Sequence, residues 1–330
     1  MTRIEIVTGS RLHFGLICGT QNTGWEFGGV GLMLRQPSWT IVLVPHNEVD
    51  DRITASAETI GRVQKFLRQI RSTLPLKSVA VSISEEIPFH TGLGSGTQLG
   101  LALAAAAVLL TSSRPNHDPD ELARLAHRAE RSAVGTVGFR EGGFLIDHGA
   151  SANPPLRHRV DRLAIPEDWR FVLVRPVQAQ GLCGDTERDF FSQHIHMPKS
   201  LVGQLGEQIE HQLVPAVRDG RFDEFASALE AYGRTIGSFY AQEQGDVFAH
   251  PVIRRLVTDM QSSGIQGAAQ SSWGPGICIP ARSMSHARMI SEMIPASLEE
   301  TALAVQISEP LNVGASLRST SPDSPRGQLA

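Results

Sequence analysis

Apolar and polar positions along the chain fall into runs that each predict one element. Ile4, Ile6 and Leu12 begin a half-buried strand pattern interrupted at Gly9. Trp39 to Pro45 is a β-prone run, and Val79, Val81 and Ile83 alternate with small or polar residues as a further strand. Between them Ile60, Val63, Leu67, Ile70 and Leu74 recur at helical spacing, so the spacing predicts a helix whose stripe faces a sheet. Leu99 to Leu110 is apolar on every side and rich in Ala and Leu, the pattern of a buried helix. Asp118-Pro119-Asp120-Glu121 then reads as a helix start, with proline in the first turn and an acid three residues after the cap. Leu122, Leu125, Ala126 and Ala129 give that helix its buried face, which puts His127 on the surface; the helix is expected to end near Gly135.

The second half reads less regularly. Glu141 to Gly149 is a bend, a strand and a polar exit, and proline-rich Asn153 to Pro166 is expected to be a linker. Phe171 to Val174 predicts a strand. Leu201 to Tyr240 predicts two helices around the Asp219-Gly220 C-cap signal, and Pro251 opens a third. A helix from Ser283 to Met293 and a strand from Ala302 to Ile307 follow, and the polar residues from Ser316 onward are expected to be disordered.

Against this pattern, one stretch stands out chemically. Pro88-Phe89-His90-Thr91-Gly92-Leu93-Gly94-Ser95-Gly96-Thr97-Gln98 joins a strand to the buried helix, with glycine at every second position from 92 to 96. Such a backbone can turn N–H groups inward at a positive helix end, which makes a phosphate cradle at Gly92, Leu93, Gly94, Ser95, Gly96 and Thr97. No Gly-Lys-Ser/Thr closes it, so it is not a Walker loop, and its spacing misses the dinucleotide fingerprint. Gly267 to Gly276 is a second glycine-rich segment, whose small residues would let two domains share one cavity.

Composition narrows the class. At 330 residues the prior is two domains or one large one, and 41% hydrophobic residues suffice for a sizeable core. A net charge of −4 provides no global field for nucleic acid, so anionic ligands need local cradles. The three cysteines, Cys18, Cys183 and Cys278, lack metal spacing and suit a reduced compartment. With no apolar signal core in residues 1–14 and no stretch long enough to span a bilayer, a cytoplasmic protein is expected.

The motifs also carry a resemblance. Pro88 to Ser95 followed by a small-residue helix resembles the second motif of the GHMP kinase superfamily. The fuller Gly92-Leu93-Gly94-Ser95-Gly96-Thr97-Gln98 is similar to a non-kinase branch, the β-ribofuranosylaminobenzene 5′-phosphate synthases of methanopterin biosynthesis. Arg11-Leu12-His13-Phe14-Gly15-Leu16, Phe27 to Met33, Gly142-Gly143-Phe144 through Asp147, Gly181 to Glu187 and Gln270-Ser271-Ser272-Trp273-Gly274-Pro275 resemble that branch too. Where the superfamily's kinases carry an aspartate assisting hydroxyl attack, this chain reads Arg131-Ser132-Ala133-Val134-Gly135-Thr136, with no carboxylate.

The resemblance implies an α+β fold of two GHMP-kinase-like domains. These are a ribosomal-protein-like N-terminal domain over 1–155 and a ferredoxin-like C-terminal domain over 165–315, followed by a tail over 316–330. It implies an enzyme that condenses phosphoribosyl pyrophosphate with 4-aminobenzoate or a related ring acid, releasing carbon dioxide and pyrophosphate, with Mg2+ as cofactor and no nucleic acid or membrane partner. A homodimer is the assembly considered. Arg11, His13, Gln98 and Ser271 are the catalytic candidates; Gly29, Gly181, Glu187, Gln270, Ser272 and Trp273 are candidates for substrate binding; Asp147 is a candidate metal ligand. Plainer readings stay open beside these: His13 as a satisfied structural histidine, Gly28-Gly29 as close strand packing, Asp147-His148 as an Asx turn, and Asp185 as a helix start. Two other functions stay open as well, an ATP-dependent small-molecule kinase using Glu141 or Asp147, and a catalytically silent binding member of the fold.

Overall fold

The structure is a computed structural model describing residues 2–20, 25–111, 118–128, 131–150, 158–179, 190 and 196–320. Its first part runs β1 (Arg3–Cys18), β2 (Glu26–Pro45), β3 (Arg52–Thr54), α1 (Ala57–Arg71), β4 (Val79–Glu85) and α2 (Ser95–Thr111). Then come α3 (Pro119–Leu125), α4 (Val134–Glu141), β5 (Phe144–Ala150), β6 (His158–Leu163) and β7 (Arg170–Pro176). The helices α5 (Lys199–Gln208) and α6 (Val214–Arg218) flank a π-turn at Ile209–Leu213. After α7 (Phe222–Gln244) and α8 (Pro251–Ser262) come β8 (Ala269–Gln270), β9 (Ile277–Ala281), α9 (Met284–Met293), β10 (Ser297–Leu298), β11 (Thr301–Ser308) and β12 (Ser316–Thr320).

Two sheets result. The seven-stranded sheet has the order β12-β1-β2-β4-β3, with β5 and then β6 joined to β2. The 20-residue β2 makes this possible, because its start pairs with β5 over Gly29–Leu32 and its end with β4 over Thr40–Pro45. The second sheet, five-stranded, has the order β10-β11-β7-β9-β8. Helix α2 lies in the largest core cluster with every residue from Gln98 to Ala107 buried, which explains its all-round apolar sequence. Phe225 of α7 meets Phe144 of β5 edge-on at 6.2 Å, so the α5–α7 helices share that same core. Val172, Val174, Ile277 and Ile279 face α8 and α9 in a separate cluster.

Three expectations about the chain's path are corrected. The segment from Asn153 to Pro166 is not wholly a linker, because its residues His158–Leu163 form β6 and pair with β5. The segment after Ser316 is not disordered throughout. Ser316–Thr320 pairs antiparallel with Arg3–Val7, although so short and polar a strand gives no sign by itself of a partner. Sheet membership therefore runs β1 to β6 and back to β12, and the units interleave where the sequence suggested two consecutive blocks. Thirdly, the helix begun at Asp118 stops at Leu125, and a separate helix begins at Val134. No helix among the described residues is long and apolar enough to cross a membrane.

Candidate active site

The glycine-rich loop enters from β4 and turns sharply into α2. His90, Gly92 and Gly94 all have positive φ, at 58°, 83° and 68°. A Cβ on Gly92 would run into the Ser271 carbonyl, and one on Gly94 would sit 3.1 Å from Arg11 Cβ, so both close approach and backbone geometry require glycine. The Gly94 carbonyl accepts from the N–H groups of Thr97 and Gln98 and starts the helix. In that geometry the N–H groups of Ser95 and Gly96 have no intrahelical acceptor, and they stand at the positive end of a 17-residue helix. Trp39 Nε1 donates to the Ser95 carbonyl at 3.0 Å and anchors the turn from behind.

In front of the loop lies a cavity of about 430 Å³. Its wall carries Arg11 from β1, Arg62 and Lys65 from α1, and Arg128 and Arg131 from the segment between α3 and α4. No aspartate or glutamate lines it among the described residues. The guanidinium of Arg128 reaches within 3.3 Å of where a Cβ on Gly96 would stand, and Arg11 Nε lies 3.5 Å from the same point on Gly135. Cations and helix N-terminus thus surround one space, which suits an anion bearing several charges. Sequence reasoning missed four of these five cations. Their signal was present as basic pairs three residues apart, Arg62 with Lys65 and Arg128 with Arg131, but only the fold turns them toward the loop. His127 is exposed, as its position off the helix stripe predicts, and it also lines this cavity.

A β-bulge positions His13. The register between β1 and β2 slips between His13 and Leu16, where Gly15 has φ 103°, and the slip lets α7 approach until Ile236 fills the room of a Cβ. His13 is buried, and burial together with the Arg11 charge pushes its pKa down to about 3. The imidazole is therefore neutral at pH 7. Its Nε2 lies 3.1 Å from Ser132 Oγ, and Ser132 Oγ donates to Asp147 Oδ2 at 3.0 Å. Because the serine proton goes to Asp147, the histidine must donate, which assigns the proton to Nε2 and leaves Nδ1 as an acceptor.

Asp147 is fully buried and accepts from Ser132, from the N–H groups of Ala133 and Gly149, and from His158 Nδ1 at 2.8 Å. Both its oxygens are occupied by protein donors, so the metal-ligand expectation at Asp147 is replaced by a structural one, including the Asx-type bond to Gly149. No group of three metal-ligating side chains occurs among the described residues.

The remaining candidates divide. Arg11, His13, residues 92–97, Gln270, Ser272 and Trp273 all line the cavity, so the two glycine-rich segments do meet. Gln98 does not line it. The side chain is fully buried, accepting from Thr8 Oγ1 and donating to the Gly135 carbonyl, because one turn into α2 the helix already faces the sheet. Ser271 is likewise a brace: its Oγ donates to the Gly92 carbonyl at 2.6 Å and accepts from His13 N–H at 3.0 Å. Gly29 is a packing position, since a Cβ there would press on the Gly15 carbonyl at 2.6 Å, in line with the close-strand reading. Gly181 and Glu187 lie outside the described residues.

Comparison with known proteins follows the same lines. Residues 58–144 match the family described as GHMP kinases N terminal domain. A beta-ribofuranosylphenol 5′-phosphate synthase of Methanothermobacter thermautotrophicus is 29% identical over 297 residues, covering 83% of this chain and 88% of that protein. The enzyme of the same name from Archaeoglobus fulgidus is 30% identical over 251 residues, covering 69% of this chain and 74% of the relative. Among solved structures, homoserine kinase from Cytophaga hutchinsonii superposes with a TM-score of 0.65 at 14% identity, covering 96% of this chain and 97% of its own. Mevalonate diphosphate decarboxylase from Staphylococcus aureus does so with a TM-score of 0.61 at 12% identity, covering 96% and 98%. The structural neighbours speak for the fold, and the sequence relatives narrow it: the chain belongs to the GHMP kinase superfamily, in the family of the beta-ribofuranosylphenol 5′-phosphate synthases.

Proposed function

We propose that this protein is a decarboxylating phosphoribosyltransferase. It joins the ribose carbon of phosphoribosyl pyrophosphate to the carboxylate-bearing carbon of a para-substituted benzoate and releases pyrophosphate and carbon dioxide. The observation that carries the reading is the cavity wall, which combines a helix N-terminus and five cations with no carboxylate among the described residues. Phosphoribosyl pyrophosphate presents a phosphate at one end and a pyrophosphate at the other, so it needs anion binding on two sides. As pyrophosphate departs, the sugar becomes oxocarbenium-like, and cations held in place stabilise the leaving group. Attack through the ring carbon followed by loss of carbon dioxide restores aromaticity, so the ring carbon needs no general base. That agrees with His13, which is too weakly basic to take a proton from solvent-like acids and acts as a neutral hydrogen-bonding group.

The ring substituent is 4-amino or 4-hydroxy. The relatives are named for a phenol product, which supports oxygen on the ring, and either substituent donates electrons to the attacking carbon. Mg2+ is part of the proposal only as an ion carried on the pyrophosphate, because the described residues lining the cavity offer no ligand set of their own. A cytoplasmic location and a homodimer go with this reading as parts of the same proposal. The kinase alternative requires a carboxylate beside the hydroxyl acceptor; of its candidates, Asp147 is buried behind Ser132 and Glu141 is exposed and does not line the cavity.

The test is release of labelled carbon dioxide from carboxyl-labelled 4-aminobenzoate and 4-hydroxybenzoate with purified protein, phosphoribosyl pyrophosphate and magnesium. Release that requires the sugar donor is expected with at least one acid, and sedimentation of the active species reads the assembly. Formation of ADP from ATP without any such release would replace this reading with the kinase one.

A further inference from the structure

A second cavity, of about 220 Å³, lies on the opposite side of the loop. Leu12, Pro88, Leu93, Leu173 and Ile277 give it apolar walls, and it sits where the face of the second sheet meets the β4–α2 loop. Among the described residues it holds one charged group, Arg175. Alternation along β7 decides this: Val172 and Val174 face α8 and α9, while Leu173 and Arg175 face the first sheet, with Ala304 directly opposite Arg175 on β11. The strand end at Gly276 leaves the room, since a Cβ there would meet the Thr91 carbonyl and the stem of Arg175.

Two facts make Arg175 unusual. Half-buried among mainly apolar walls, it makes no hydrogen bond or ion pair among the described residues, and burial pulls its pKa down. The guanidinium keeps contact with water, and its planar fork matches a carboxylate that would take the place of that water. Of the other polar side chains that line it, Thr91 Oγ1 is engaged with the Pro88 carbonyl and Ser271 Oγ with the Gly92 carbonyl, while Gln306 of β11 stands exposed at the cavity. The volume is about seven times the roughly 30 Å³ share of a liquid water, below the range of drug-sized sites.

From this geometry we propose that the cavity is a second binding site, for a small monocarboxylate with a ring or branched apolar body, held by Arg175. It is distinct from the cationic cavity, because Arg11 and His13 line that space while Leu12, on the other face of β1, lines this one. The proposal goes beyond the phosphoribosyl reaction and does not depend on it.

Fluorine NMR of 3,3,3-trifluoro-2,2-dimethylpropionate, a branched acid that lacks the ring of the proposed acceptor, titrated with the full chain tests it, in inorganic pyrophosphate that occupies the cationic cavity. Saturable binding is expected in the wild type. Arg175→Met should weaken it by at least about tenfold, the usual loss for a charge-assisted pair. Ala304→Phe, which keeps the arginine and fills the space, should abolish binding, and it decides the matter if Arg175→Met fails to fold by circular dichroism. The proposal is overturned if the wild type shows no saturable binding or if pyrophosphate displaces the probe. It is equally overturned if binding survives in Ala304→Phe, or within twofold in a folded Arg175→Met.

Discussion

The two glycine-rich segments, 88–98 and 267–276, look alike in sequence and do different work. In the first, Ser95 and Gly96 line the cavity at the helix N-terminus, and Arg11 and Arg128 lie close to its glycines. In the second, polar groups are committed to the protein. Ser271 ties His13 to Gly92, Ser272 N–H donates to the His13 carbonyl at 2.6 Å, and Gln270 binds Ala249, Gln244 and the Ser272 carbonyl. Both segments line the cavity, and the second also holds the first in place. Glycine content alone does not separate these roles; the partners of the neighbouring polar groups do.

The sharpest way to break the comparison is Gly94→Val. A branched side chain there opposes φ 68° and presses on Arg11, so turnover should fall by at least about a hundredfold with a native circular dichroism spectrum. Normal turnover would remove the loop from the site. Arg128→Gln should weaken binding of inorganic pyrophosphate roughly tenfold, because it removes a charge from the cavity wall, and the melting temperature should fall by no more than loss of its place over the Phe66 ring entails. Calorimetric titration measures this, and an unchanged affinity would take the α3–α4 segment out of the anion site.

The brace predicts the opposite split. Ser271→Ala and Gln98→Ala each strand buried hydrogen-bonding groups, and each should lower stability by about 1–3 kcal/mol in urea unfolding. Their affinity for pyrophosphate should change less than that of Arg128→Gln. Should either lose binding at full stability, the division between ligand-facing and bracing residues fails.

The last test is a pH dependence, small near neutral pH and growing as the pH falls. His13 has a folded pKa near 3, below the unfolded value near 6.5, so the unfolded chain takes up the proton first. Its contribution is complete above pH 6.5 and is lost as pH falls toward 3, by up to about 1.4 kcal/mol per pH unit. His13→Gln should flatten the stability profile between pH 6.5 and 4, measured by urea unfolding. An unchanged slope would mean that His13 is not held neutral.

Local pattern was enough for much of the framework. The stripe from Ile60 to Ile70 predicts α1, the cap at Asp118 does start α3, and Ser283 does cap α9. The positive-φ glycines of the loop were also legible, because no other residue suits that turn. Gln98 misled for a definite reason. A polar residue in an apolar helix looks the same whether it faces a ligand or a buried hydroxyl, and only the position of Thr8, 90 residues earlier, decides.

What the sequence determined, then, is whatever depends on neighbours within a turn or two: helix stripes, caps, the loop's backbone and the absence of a carboxylate at residues 131–136. Tertiary structure alone decided what depends on distant partners. It returned Ser316–Thr320 to β1, turned Arg62, Lys65, Arg128 and Arg131 toward one space, and set Arg175 in a mainly apolar recess. The physical reason is that a charge or a hydrogen-bonding group has no fixed meaning along the chain. Its role is set by what lies within a few ångströms, and in this fold those neighbours come from elements tens to hundreds of residues away.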